Sequence, residues 1–144
     1  MPSSLISSRR RSALAAAVIA SACLLAVSVA LAALPGSYRG TSDDNRPVTF
    51  NLRDGKVRNF NGGITLYCFT YGEPGRYVFD ATIPPRALAV RNGRFDYEGK
   101  DRPGVSKIKI HGRFVSRRKA VGTLEMSSPP GCAGEAKFTA TRRG

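Results

Sequence analysis

Between Lys107 and Val115 apolar and polar positions alternate without a break. Ile108, Ile110, Gly112 and Phe114 fall on one side, and Lys107, Lys109, His111 and Arg113 on the other. A period of two is what a strand with one buried face requires. Short runs rich in Val, Ile, Phe, Tyr and Thr recur along the rest of the chain, and beyond Pro35 none repeats at helical spacing. Turn-forming groups separate them roughly every eight to twelve residues: Asp54-Gly55, Asn61-Gly62-Gly63, Pro74-Gly75, Asn92-Gly93, Pro103-Gly104 and Pro129-Pro130-Gly131. The pattern predicts strands over Ser37–Thr41, Val48–Leu52, Lys56–Phe60, Ile64–Tyr71, Tyr77–Ile83, Ala87–Val90, Arg94–Glu98, Lys107–Val115, Ala120–Ser127 and Glu135–Thr141. An all-β, antiparallel β-sandwich is the expected architecture, with a small closed or flattened β-barrel as the alternative. Pro84-Pro85 and Pro129-Pro130 lack the donor a ladder needs and are expected at edges or crossings.

Two strands can be taken further. If Lys107–Val115 folds back on Ala120–Ser127 through Ser116-Arg117-Arg118, Ile110 faces Leu124, Gly112 faces Gly122 and Phe114 faces Ala120 on the inner side. Lys109 then faces Glu125 and His111 faces Thr123 outside. The facing glycines leave room for a large side chain, with Tyr38 or Phe50 as the candidates. In Ile64–Tyr71 both faces are apolar: Ile64, Leu66 and Cys68 share one, Tyr67, Phe69 and Tyr71 the other. Burial of the second face beneath the Pro-rich segments is the preferred reading, and an aromatic patch for a partner is the alternative.

The N-terminus follows another rule. Arg9-Arg10-Arg11 precedes an apolar run from Ala13 to Leu34 containing Ala30-Leu31-Ala32. A basic start, an apolar middle and an Ala-x-Ala end describe a secretory signal peptide over residues 1–32, leaving one domain over residues 33–144. An uncleaved membrane anchor is the alternative, since the run is long enough to span a bilayer. Twin-arginine export fits less well, because Arg11-Ser12-Ala13 follows the arginines. A lipoprotein cysteine at Cys23 also fits less well, because Leu24-Leu25-Ala26-Val27 continues the apolar run. Without the three arginines the formal charge falls from +13 to +10, so the domain is strongly basic. Its two cysteines, Cys68 and Cys132, are expected to form one disulfide in an oxidising compartment.

The order Gly36-x-Tyr38-x-Gly40-Thr41-Ser42, Val48-x-Phe50, Gly55-x-Val57, Cys68, Gly112-x-Phe114, Ala120-x-Gly122-x-Leu124 and Cys132 covers nearly the whole domain. It resembles a family of small, exported, single-domain all-β proteins of bacteria with no established activity. The resemblance implies a two-cysteine β-domain behind a signal peptide and carries no catalytic residues.

Enzyme chemistry finds little to work with. His111 is the sole histidine and sits in a cationic row with no carboxylate beside it in sequence, so neither a catalytic triad nor a zinc site is expected. Asp43-Asp44-Asn45 lacks the ligand spacing of a calcium loop. Asp96 and Glu98 share a face with Arg94, which would neutralise them rather than leave a glycosidase pair. Gly62-Gly63 and Gly131-x-x-Gly134 lack the strand–turn–helix setting of a phosphate loop. A non-enzymatic domain is expected, with no metal, no cofactor and a monomeric state.

Charge supplies the remaining candidate. Lys107, Lys109, Arg113, Arg117, Arg118 and Lys119 form a basic hairpin suited to a polyanion such as an anionic cell-envelope polymer or lipid headgroups. Specific nucleic-acid recognition is not expected, because aromatic residues do not interleave with the cations. The same pattern also suits a solvated strand face. The second function class is a structural or protein-interaction domain, an inhibitor or effector, using Tyr67, Phe69 and Tyr71 or the loop before Cys132.

Overall fold

The computed structural model describes residues 32–70, 73–83 and 86–144. Residues 1–31 of the expected signal segment, Cys23 included, lie outside them, as do Tyr71 and Pro84-Pro85. Among the described residues nine strands form one antiparallel system: β1 (Gly36–Ser42), β2 (Pro47–Arg53), β3 (Lys56–Thr70), β4 (Glu73–Thr82), β5 (Leu88–Ala89), β6 (Arg94–Lys100), β7 (Lys107–Ser116), β8 (Lys119–Ser128) and β9 (Cys132–Arg142).

The strands run in the order β4-β3-β2-β1-β9-β8-β7-β6, with short β5 pairing β3. β3 outlasts β1 and β2 and meets β9 directly, at Tyr67↔Ala133 and Cys68↔Cys132. That contact closes the sheet into a small barrel with further strands outside it. The closed barrel is therefore the arrangement formed, in place of the two stacked sheets of a sandwich. The Cys68–Cys132 disulfide sits on the closing register pair.

Closure gathers one aromatic core. Tyr38 stacks on Phe50 at 4.9 Å between centroids, Phe50 meets Phe95 at 5.6 Å, and Phe60 meets Phe138 at 5.6 Å. Among the described residues the buried core and both cysteines lie between Tyr38 and Ala140, with Ala33 packed against it.

Two of the expected turns need correction. Asn61-Gly62-Gly63 is not a turn, because β3 runs straight through it. Both glycines are buried where neighbours come close: a Cβ on Gly62 would meet Leu124 at 2.9 Å, and one on Gly63 would meet Arg46 at 2.6 Å. Pro74-Gly75 lies within β4 rather than before it, and Pro74 is tolerated there because β4 is an edge strand. Asp54-Gly55 and Asn92-Gly93, in contrast, turn the chain with positive φ at both residues, the condition of the tightest hairpin turns.

The β7–β8 register has Ile110↔Leu124, Gly112↔Gly122, Phe114↔Ala120, Lys109↔Glu125 and His111↔Thr123, as the alternation requires. The connection is one residue shorter than expected. Ser116 pairs with Lys119 around Arg117-Arg118, and a register shift between Phe114 and Ser116 absorbs Val115. The space over the facing glycines is filled from the flanking strands rather than by Tyr38 or Phe50. Phe95, Gly112, Gly122 and Phe138 are register neighbours in one row, so each ring lies over the glycine beside it.

Candidate functional site

The cationic side chains of β7 point outward and are exposed, but they do not form an uninterrupted positive row. β6 supplies the reason: its outward residues, Arg94, Asp96, Glu98 and Lys100, face Arg113, His111, Lys109 and Lys107 in turn. Lys109 Nζ lies 3.5 Å from Glu98, and His111 Nδ1 lies 2.8 Å from Asp96. Arg94 is thus not the partner of these carboxylates, and His111 does have a carboxylate beside it, contributed across the sheet.

Beyond Lys109, Glu125 of β8 and Glu135 of β9 continue the same row. One cation there meets three carboxylates, so the middle of the face offers no surplus positive charge. Asp96, His111 and Thr123 are register neighbours, but no hydrogen bond joins His111 to Thr123 among the described residues.

Positive charge instead accumulates at the barrel end where β1 begins. Several turns converge there. Leu34 N–H donates to Arg117 O, Arg142 N–H to Arg118 O, and Phe114 N–H to Gly93 O, each at 2.8 Å. Val90 N–H donates to Gly55 O at 2.8 Å, which brings in the β2–β3 turn. Arg53 and Lys56 flank that turn, Arg91 precedes β6, Arg117, Arg118 and Lys119 round the β7–β8 turn, and Arg142 ends β9 with Arg143 just after it. Asp54 is the one carboxylate among these described turns. Of the expected polyanion residues, Arg113, Arg117, Arg118 and Lys119 belong to this end. Lys109 lies apart among the carboxylates, and Lys107, beside Lys100, lies beyond them.

Tyr38 ties the end together. Its hydroxyl donates to Leu34 O at 2.7 Å and lies 3.3 Å from Arg117 O. Burial raises its pKa, and the guanidinium groups of Arg142 and Arg118 oppose the shift. The folded protein then holds the phenolic proton more tightly than the unfolded chain. The resulting stability is present below pH about 10, the ordinary tyrosine value, and is lost as pH rises through the folded value. Tyr38→Phe should cost about 1 kcal/mol at pH 7 by loss of the hydrogen bond. In thermal melts the gap from wild type should narrow towards pH 11. A gap that widens with pH would exclude this account.

The carboxylates at the opposite end are occupied structurally. Asp43 Oδ1 accepts from Lys137 N–H at 3.0 Å, and Asp44 Oδ2 accepts from Thr65 N–H at 2.8 Å. Asp101 Oδ1 accepts from the N–H groups of Val105 and Ser106.

The aromatic strand departs from the expected burial. Tyr67 is 53% and Phe69 74% exposed on the outer face of β3. Arg76 of β4 lies over the Tyr67 ring, 5.3 Å from its centroid. Val78, two residues further along β4, is 52% exposed. The Pro129-Pro130 segment does not cover this surface, because the β8–β9 connection passes along the edge of β3, where Gly131 O accepts from Phe69 N–H at 3.3 Å. Sequence reasoning missed that the patch extends onto β4. The alternation of Arg76, Val78 and Asp80 with Tyr77 and Phe79 was available to show it.

Compared with protein-family models, with curated proteins and with solved structures, the chain matches none.

Proposed function

We propose that this protein is an exported, non-enzymatic binding module that holds an anionic polymer of the cell envelope at the basic end of its barrel. The observation that carries the reading is the uneven charge. The convergent turns bring together Arg117, Arg118, Lys119, Arg142 and Arg143 with little opposing charge, whereas Lys109 and His111 are matched by carboxylates. Exposed guanidinium and ammonium groups on several separate turns suit a flexible polyanion, which gains affinity by releasing counterions. The signal-like N-terminus supports export, and a disulfide is compatible with an extracytoplasmic location. The exposure of Tyr67 and Phe69 favours a second reading, a protein-interaction domain, which would not need the basic end.

The test is retention of the 33–144 domain on an anionic polymer matrix across a salt gradient. Replacing Arg117, Arg118 and Lys119 together by Gln should lower the salt dependence by about two to three ion equivalents and bring elution much earlier. Lys107→Gln with Lys109→Gln should change it little. Equal losses in the two variants would place binding along the strand face, and no loss in either would remove the polyanion reading.

A further inference from the structure

The free edge of β4 matches itself. β4 ends the strand order, with β3 on one side and no strand on the other among the described residues. Three observations fix which backbone groups face outward. Thr65 N–H donates to Asp44 and Phe69 N–H to Gly131, so the odd-numbered residues of this part of β3 point away from β4. Their register partners on β4, Val78 and Pro74, then point away from β3. Thr82 agrees, since its carbonyl accepts from Arg102 N–H at 2.9 Å outside the β3–β4 ladder. By alternation the N–H and C=O groups of Arg76, Val78 and Asp80 face outward.

The free stretch is bounded on both sides. Pro74 has no N–H to offer at one end, and Arg102 occupies Thr82 at the other. Between them the sequence reads Arg76-Tyr77-Val78-Phe79-Asp80. In antiparallel pairing about Val78, Arg76 of one copy faces Asp80 of the other, Tyr77 faces Phe79, and Val78 faces Val78.

From this match we propose that β4 is a homodimer edge, pairing with the β4 of a second copy about a two-fold axis at Val78. The outward groups of Arg76, Val78 and Asp80 then form six backbone hydrogen bonds, framed by two Arg76–Asp80 ion pairs. Within one strand these side chains are roughly 13 Å apart and cannot pair with each other. Neither has an ion-pair partner among the described residues. Tyr77 and Val78, both about half exposed, become covered. Edge charges commonly keep strands apart by repulsion. Here opposite charges placed symmetrically about the centre attract a second copy and penalise a one-residue slip. The inference is independent of the polyanion reading, which concerns the far end of β3 and other strands.

Sedimentation analysis of the oxidised 33–144 domain tests it, at roughly 100 µM, where a dimer with a dissociation constant near 10 µM is mostly assembled. Wild type should be dimeric. Arg76→Asp and Asp80→Arg should each place like charges opposite one another twice and weaken the dimer at least about tenfold. Arg76→Asp combined with Asp80→Arg should restore it. Thermal melts of each variant at low concentration separate loss of association from loss of folding. A monomeric wild type overturns the proposal, as does a dimer indifferent to both reversals or one that the double reversal does not restore.

Discussion

Replacing both Cys68 and Cys132 by alanine should cost about 4 kcal/mol, because the bridge closes a loop with a sequence separation of 64. For a domain of about 112 residues that corresponds to a fall of roughly 15–25 °C in Tm. Position should add to the effect of loop length. β3 and β9 pair through two register positions, Tyr67↔Ala133 and Cys68↔Cys132, whereas β7 and β8 share a long ladder of their own. The disulfide thus holds the seam where the barrel closes. Hydrogen exchange in the alanine variant should rise first in β3 near Leu66 and in β9 near Cys132, with β7–β8 remaining protected. A Tm within about 5 °C of wild type would show that packing alone keeps the seam closed. Uniform loss of protection would show that the barrel opens as one unit.

Local alternation made the hairpin and its register legible in the sequence. In β7 and β8 a one-residue slip would turn Ile108, Ile110 and Leu124 outward, so only one register buries them. Closure was not legible in the same way. It depends on β3 being one long strand that outlasts β1 and β2, and Asn61-Gly62-Gly63 carries the composition of a turn. Those glycines answer to tertiary neighbours, Leu124 and Arg46, that are distant in sequence. The charge pattern failed for a related reason. Lys109 and His111 look like members of a basic row along their own strand, but their partners Glu98 and Asp96 stand across a ladder. The basic end is likewise a product of topology, because it collects turns that are scattered along the chain.

The packing row Phe95–Gly112–Gly122–Phe138 leads to the second large effect. A Cβ on Gly112 would stand 2.1 Å from the Phe95 ring, and one on Gly122 would stand 2.3 Å from His111 O and 2.6 Å from the Phe138 ring. Both rings are buried, so neither can swing into solvent. Gly112→Ala and Gly122→Ala should each destabilise by about 2–3 kcal/mol in denaturant unfolding, near the top of the range for overpacking. The two should differ in rescue. Phe95→Leu removes the ring that Gly112→Ala strikes, so the double variant should recover part of the loss and show a favourable coupling energy. Phe138→Leu should recover less with Gly122→Ala, because the His111 carbonyl remains in the way and belongs to the β7 backbone. Equal recovery in the two pairs would mean that β7 shifts freely on β8. The β6–β7 part of the sheet, which carries Asp96–His111, would then be more plastic than the row of rings requires.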